Sequence, residues 1–307
     1  MDYSDVLTKK EIDIFMEAEK DFADLDEALK EPLPLIDKQQ FLEQSMKAGL
    51  DSILPNITAR YNAVMRLIRK GKEYYKLLKS QLDKKDTTHE FITDRALDLI
   101  QHQNVTTRKK LKVSCVAPDR NKKMNELVFE GHFYGKTRGN ARGNFLQKCF
   151  SPEILATIGW LDDIEETAVS NFSRHYKGAF RNGSVDLTCL GWAAHYIQDL
   201  TAPHHVGNLA VFFELFFEKT MSHYAFEKYA KKKVYEHPKA FQEKASAIFN
   251  EIKAGFQPTK PEEFAKSIYK RAAVNIRKGT NRDGWDDAIN DAIPLAVAAT
   301  ATIFLKI

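Results

Sequence analysis

The chain has 307 residues, of which 43% are hydrophobic and 29% are charged, with 14 glycines and 10 prolines. This composition suits one large domain or two small ones, and it excludes a collagenous, low-complexity or mainly disordered chain. Charge is uneven: residues 1–51 hold 14 acidic and 6 basic side chains, a balance of −8, whereas the remainder carries +12. The acidic segment is either a solvated amphipathic helix or an arm that folds back over a basic entrance.

No apolar run reaches the roughly 18 residues of a membrane-spanning helix, and the first residues lack the pattern of a secretory signal. The most apolar stretch, residues 292–307, predicts a buried helix. Cys115, Cys149 and Cys189 are far apart and odd in number, which indicates core thiols and not a disulfide framework. The compartment and the oligomeric state stay open.

Hydrophobic spacing predicts helices along most of the chain, so the expected fold class is all-α. Pro32 and Pro34 end the first helix, and prolines in the first turn mark helix starts near residues 152 and 261. The region 103–150 is predicted as loops, with residues 113–116 as a candidate strand. The predicted helices cover residues 12–22, 37–50, 57–82, 89–102, 153–173, 185–201, 207–235, 238–255, 261–277 and 284–306.

Two histidine–carboxylate pairs lie on predicted helices. His195 and Asp199 are four residues apart, as are His223 and Glu227, so each pair lies on one face of its helix. Imidazole nitrogen and carboxylate oxygen are ligands that suit Zn²⁺. One such pair usually binds nothing, but two pairs with histidines between them, following Pro203, indicate a metal site.

The segment HYIQDLTAPHHVGN, residues 195–208, resembles the signature of zinc-dependent bacterial phospholipase C, His-Tyr-x-(Gly/Thr)-Asp-x-x-x-Pro-x-His-x-x-Asn. Gln198, Thr201 and Val206 depart from the residues usual in that family, but every metal-ligand position is kept. The resemblance extends over about residues 85–307 through three further motifs, which are Thr88-His89, Pro118-Asp119 and Gly131-His132.

The resemblance implies an all-helical catalytic domain over residues 81–307, preceded by an acidic extension at residues 1–80 that is a possible pro-segment or lid. It also implies two or three zinc ions at the bottom of a cleft. One ion would be held by Asp119, His132, His195 and Asp199, a second by His205, His223 and Glu227, and a third by Asp199 and His89.

The third ion is where the chain departs from the family. An N-terminal tryptophan completes that ion in the family, whereas the matching position here is Lys76. Either the ion is absent, or another group replaces the tryptophan, or the arm is cleaved; Asp83 and Asp86 are the nearest spare carboxylates. If the arm is a pro-segment, deleting residues 1–75 should raise activity.

The implied reaction releases diacylglycerol and a phosphorylated headgroup from a phospholipid at a membrane surface. Zinc ions would neutralise the phosphate and lower the pKa of a bound water, and Asp119 would accept the proton, with Glu227 a less favoured candidate. Arg120, next to the aspartate ligand, predicts an anionic headgroup and not choline. No stable nucleic-acid partner is expected.

Three other functions stay open at this stage. Single-strand-specific nucleases share the metal cluster and a related helical fold, although the His223–Glu227 spacing and the His195-Tyr196 opening favour the phospholipase. A catalytically silent zinc protein that binds a membrane or a partner through its acidic arm is a second alternative. A metal-buffering or structural protein is the third. His204 is expected to face solvent or to pack, or else to orient a ligand from behind.

Overall fold

The computed structural model describes residues 2–17, 20, 62, 66, 87–120, 131–132, 134, 167–181, 183–207 and 217–307, without the side chains of residues 120 and 217–220. These parts of the chain contain helices and turns and no β-strand, which confirms the all-α fold class for them. None of the helices searched there is long and apolar enough to cross a membrane.

Twelve helical segments lie in the described ranges, joined in places by 3₁₀ turns. In chain order they are α1 (residues 9–17), α2 (Thr88–Leu99), α3 (Val105–Cys115), α4 (Ala117–Arg120), α5 (Ala168–Ala179), α6 (Leu187–Asp199), α7 (Pro203–Val206), α8 (Phe217–Glu236), α9 (Gln242–Ile252), α10 (Pro261–Ala272), α11 (Ile276–Thr280) and α12 (Trp285–Ile303).

The predicted helices from residue 185 onward match these bounds to within a few residues, except over 208–216, which lie outside the described residues. A continuous helix over 153–173 is wrong, because Thr167 is extended and caps a helix that begins at Ala168 and ends at Ala179. The helices predicted at 37–50 and 57–82, with Lys76, Asp83 and Asp86, fall almost entirely outside the described residues.

The strand predicted at residues 113–116 is wrong, because this stretch belongs to helix α3 and the turn that follows it. The loops predicted from residue 103 onward are also wrong over most of residues 105–120, which form α3 and α4. Asn104 caps the helix by accepting a hydrogen bond from the Thr107 amide at 3.0 Å. Val113 is 55% exposed, so its β-branched side chain lies on the solvent face, while Leu111 and Cys115 are buried. Packing of the opposite face onto the interior overrides the weak local preference for a strand.

Helix α6 is the element that places the candidate site in the core. The Asp186 side chain caps its start by accepting from the amides of Thr188 and Cys189. Its last two turns are buried between the neighbouring helices α3 and α5, with His195 fully buried. A polar residue at that depth needs hydrogen-bond or metal partners.

The approach of α6 to α3 depends on Gly191, since a Cβ there would lie 2.4 Å from the Ser114 Cβ and 3.1 Å from the Ser114 carbonyl carbon. We expect Gly191→Ala to cost about 1–3 kcal/mol of unfolding free energy, because backbone must move to relieve the overlap. Urea unfolding measures this. Gly255→Ala is the control, since no atom lies within 4 Å of its added Cβ; equal stability of both variants would contradict the prediction.

Residues 2–17 pack against the C-terminal helices. Tyr3, Leu7 and Phe15 are each at most 4% exposed and belong to the main hydrophobic core. The Tyr3 ring stacks on Trp285, with ring centroids 5.7 Å apart. The start of the acidic segment therefore contributes to the same core as the helices that follow residue 87.

Candidate metal centre

Helix α6 presents His195 and Asp199 one turn apart on a buried face. The Asp119 and His132 side chains approach them from the end of α3–α4 and from the short described segment at residues 131–132. The His195 Nε2 atom lies 3.4 Å from Asp119 Oδ1 and 2.9 Å from His132 Nδ1. His132 Nδ1 lies 3.7 Å from Asp119 Oδ1, which closes a group of three donors.

Asp199 connects this group to His89. Its Oδ2 atom lies 2.9 Å from His132 Nδ1 and 3.2 Å from His195 Nε2, whereas its Oδ1 atom lies 3.6 Å from His89 Nε2. Asp119 does the same with its second oxygen, which lies 3.8 Å from His89 Nε2. Each carboxylate thus faces two sets of imidazole nitrogens.

A separate group forms where α7 meets α8. Pro203 in the first turn of α7 reverses the chain after α6 and directs His205 towards the two ligand positions on α8. His205 Nε2 lies 3.3 Å from Glu227 Oε1, and His223 Nε2 lies 2.8 Å from the same oxygen. Glu227 exposes 45% of its side chain, so this group is open on one side.

The ring orientation of two histidines is fixed by backbone carbonyls. His195 Nδ1 donates to the Cys115 carbonyl at 2.8 Å, and His205 Nδ1 donates to the His132 carbonyl at 3.1 Å. A carbonyl can only accept, so Nδ1 carries a hydrogen in both residues and Nε2 points at the carboxylates. This arrangement behind the ligands is typical of protein metal sites.

The donor set fits zinc. Nitrogen and carboxylate oxygen ligands about 2.0–2.1 Å from one tetrahedral ion lie roughly 3.4 Å from one another. The nitrogen–oxygen separations around the three groups, 2.8–3.8 Å, lie close to that value. In each group, the candidate ligand atoms all lie within 4.8 Å of one another.

Electrostatics also favour a cation in this place. Burial by itself lowers the pKa of His195, but the Asp199 and Asp119 carboxylates outweigh it and raise that pKa to about 9. The pKa of His205 likewise rises to about 9, through Asp199 and Glu227 against the effect of burial. Burial raises the pKa of Asp199, but the neighbouring His195 and His205 hold it well below its ordinary value. Asp199 therefore stays ionised, and His195 and His205 keep their protons when no other cation is present.

We expect zinc affinity to rise with pH up to about 9, because a metal ion must displace the protons that His195 and His205 hold below that pH. Binding at pH 7 should release more than one proton per chain. Calorimetric titrations in buffers of different ionisation enthalpy measure this release. A pH-independent affinity between pH 6 and 9 would contradict the prediction.

The structure brings all eight predicted metal ligands together. The three groups are His89, His195 and Asp199; Asp119, His132 and His195; and His205, His223 and Glu227. Arg120 ends helix α4 directly after Asp119, but its side chain lies outside the described residues. His204 is 1% exposed and stacks on His223 with ring centroids 4.9 Å apart, so it packs behind a predicted ligand.

Gln198 is a residue whose contacts sequence reasoning missed. The sequence marked it only as a departure from the resembled signature. Its side chain is 2% exposed, and its Oε1 atom lies 2.7 Å from His89 Nδ1. The signal that the sequence offered for this contact was a large amide side chain between two ligand positions of one helix.

The metal-ligand groups open into a pocket of about 180 Å³. Lys228 and Lys231 contribute to the wall formed by α8. Apolar side chains also line the pocket, and they are Ile92, Phe226, Ala230, Ile289, Ala292 and Ile293. The pocket therefore combines the candidate ligands with apolar lining side chains.

Together, the helices and the three ligand groups define an all-α protein with a candidate multinuclear metal centre. No family model matches the chain, and no curated protein matches it by sequence. Among solved structures, the chain is similar to an alpha-toxin of Clostridium perfringens from avian strain SWCP, with 19% identity and a TM-score of 0.49. It is also similar to the alpha-toxin of Clostridium absonum, with 16% identity and a TM-score of 0.48. Each match covers 71% of this chain and 62% of the toxin chain, so the chain spans less than two thirds of either toxin.

Proposed function

We propose that the protein is a zinc-dependent phosphodiester hydrolase that acts on phospholipids as a phospholipase C. The observation that supports this most is one pocket that combines the ligand groups joined by Asp199 with an apolar wall. The charged lining suits a phosphate group, and the apolar lining suits a substrate with hydrocarbon next to that phosphate. A nucleotide substrate would instead need exposed aromatic platforms for base stacking.

The proposed ion ligands are the eight residues of the three groups. Zinc ions there would supply positive charge to the phosphate oxygens and would lower the pKa of a bound water. Asp119 is the proposed proton acceptor, because its side chain is 12% exposed and its carboxylate lies beside both His89 and His195. Glu227 stays the less favoured candidate.

The proposed substrate has an anionic headgroup. Lys228 and Lys231 line the pocket, and Arg120 follows Asp119 in sequence. Lys228 pairs with Glu11 at 2.9 Å. Lys231, on the pocket wall, and Arg120, next to Asp119, are the side chains to test first. Cations at these positions would attract a second negative charge on the headgroup and would disfavour choline.

Release of phosphorylated headgroup from mixed phospholipid vesicles, with and without a zinc chelator, tests the proposal. Chelator-sensitive release of headgroup together with diacylglycerol is the expected result. Single-stranded DNA is the parallel substrate, and its hydrolysis without lipid cleavage would replace the phospholipase by a nuclease. Absence of both activities in zinc-loaded protein would contradict the proposal. A panel of choline, serine and phosphorylated inositol phospholipids tests the headgroup, and a preference for choline would contradict its anionic character.

A further inference from the structure

The side chain of Gln198 ties three helices together beside the candidate metal centre. It leaves α6 between the ligand positions His195 and Asp199. Its Nε2 atom lies 3.1 Å from the Thr93 hydroxyl on α2 and 3.3 Å from the Thr300 hydroxyl on α12. All three side chains are at most 2% exposed, so water does not compete for these hydrogen bonds.

The Gln198 amide has one atom left for His89, and that atom is its carbonyl oxygen. In this arrangement its two N–H hydrogens are directed to the two threonine oxygens, and its carbonyl oxygen lies 2.7 Å from His89 Nδ1. A carbonyl oxygen accepts only, so it selects the form of the imidazole that carries its hydrogen on Nδ1. The Nε2 atom, which faces Asp119 and Asp199, then has its lone pair available.

The other two histidines with this orientation, His195 and His205, rely on backbone carbonyls as acceptors. His89 differs because its acceptor is a side chain, and a single substitution can remove that acceptor. Substitution of Gln198 therefore changes the acceptor of His89 without altering the backbone.

We propose that Gln198 is a positioning residue, which holds His89 with a hydrogen on Nδ1 and directs Nε2 to a metal ion shared with Asp199. The inference rests on the proposed metal centre, but it concerns the form of the imidazole, which exists without metal or substrate. Partners behind a ligating histidine change metal affinity by about 10–100-fold when they are removed.

The first measurement is the ring ¹⁵N NMR spectrum of His89 in metal-free protein, assigned by the signal lost in His89→Ala. Wild type is expected to carry the hydrogen on Nδ1. Gln198→Glu should keep that form, because a carboxylate also accepts from Nδ1. Gln198→Leu should move the hydrogen to Nε2, where Asp119 and Asp199 accept it. The same imidazole form in wild type and Gln198→Leu would overturn the proposal.

The second measurement is zinc binding by equilibrium dialysis and elemental analysis. Gln198→Leu should weaken the ion that is lost in His89→Ala by about 10–100-fold, and Gln198→Glu should retain it. Thr302→Val is the matched control, since that buried hydroxyl donates to the Ala298 carbonyl and not to Gln198. Zinc binding by Gln198→Leu equal to that of wild type, or a loss in Gln198→Glu equal to that in Gln198→Leu, would overturn the proposal.

The triple variant Thr93→Val, Gln198→Leu, Thr300→Val distinguishes a folding defect from the loss of the His89 acceptor. It replaces all three hydrogen-bonded side chains and leaves an apolar interior. It should fold and still lose the His89-linked ion; retention of that ion would overturn the proposal. If zinc binding depends on Gln198 but the protein does not hydrolyse lipid, the result counts against the proposed function alone. If the protein hydrolyses lipid but zinc binding does not depend on Gln198, the result counts against this inference alone.

Discussion

Replacing Asp199 by Asn should reduce the hydrolysis of phospholipid by at least about 10³-fold and should lower the zinc content of the protein. Asp199 offers one oxygen to His89 and the other to His132 and His195, so the change removes the negative charge that all three imidazoles share. An amide also cannot bridge two cations as a carboxylate does. Vesicle hydrolysis and elemental analysis of the dialysed protein are the two measurements.

Asp287→Asn is the control for this prediction, because Asp287 is exposed in the first turn of α12. It removes the same charge at a surface position and should leave both measurements unchanged. A variant at Asp199 that keeps full zinc content and activity would show that the groups around α6 and His89 do not hold the catalytic ions.

Replacing Glu11 by Gln should cost about 2–4 kcal/mol of unfolding free energy at neutral pH, a magnitude typical of a broken buried ion pair. Glu11 is 4% exposed and accepts from the Tyr224 hydroxyl at 2.6 Å and from Lys228 Nζ at 2.9 Å. The Thr8 amide donates to the same carboxylate at 2.7 Å. Denaturant unfolding at several pH values is the measurement.

The pH dependence of this effect follows from the pKa of Glu11. Burial by itself raises that pKa, but hydrogen bonds from Tyr224, Thr8 and Lys228 outweigh burial and lower it to about 2, against an ordinary value of 4.5. A lowered pKa in the folded state means that the stabilisation is complete above about pH 4.5 and is lost as the pH falls towards 2. The difference between wild type and Glu11→Gln should therefore shrink over that range. Asp13→Asn, at an exposed position of α1, is the control and should change little.

The same contacts bear on the expectation that removing the acidic segment raises activity. Tyr224 and Lys228 directly follow the ligand positions His223 and Glu227 on α8. Glu11 therefore packs against α8 at the residues next to these ligands. Removal of residues 2–17 should therefore lower stability and zinc retention at these ligands. A truncated protein that folds with higher activity would instead support a pro-segment.

The sequence by itself determined two ligand pairs of the candidate site, because these pairs follow a local rule, whereas His89, Asp119 and His132 were implied only by the family resemblance. The spacing of four residues between His195 and Asp199 places both on one helix face wherever that helix lies. The proline after α6 indicated that one of the two histidines that follow it would return towards the site, and the family resemblance selected His205. All-α architecture likewise followed from hydrophobic spacing, although the pattern failed at residues 113–116, where packing and not local preference decided the structure.

Only the tertiary structure decided which distant groups meet. The contact of Gln198 with His89 spans 109 residues, and that of Glu11 with Tyr224 spans 213. No periodicity encodes such contacts, because they depend on how helices cross and on which buried polar atoms need partners. The sequence therefore indicated the residues that can bind a metal, whereas the packing of α2, α6, α8 and α12 decided their orientation, since only burial forces each polar atom to one partner.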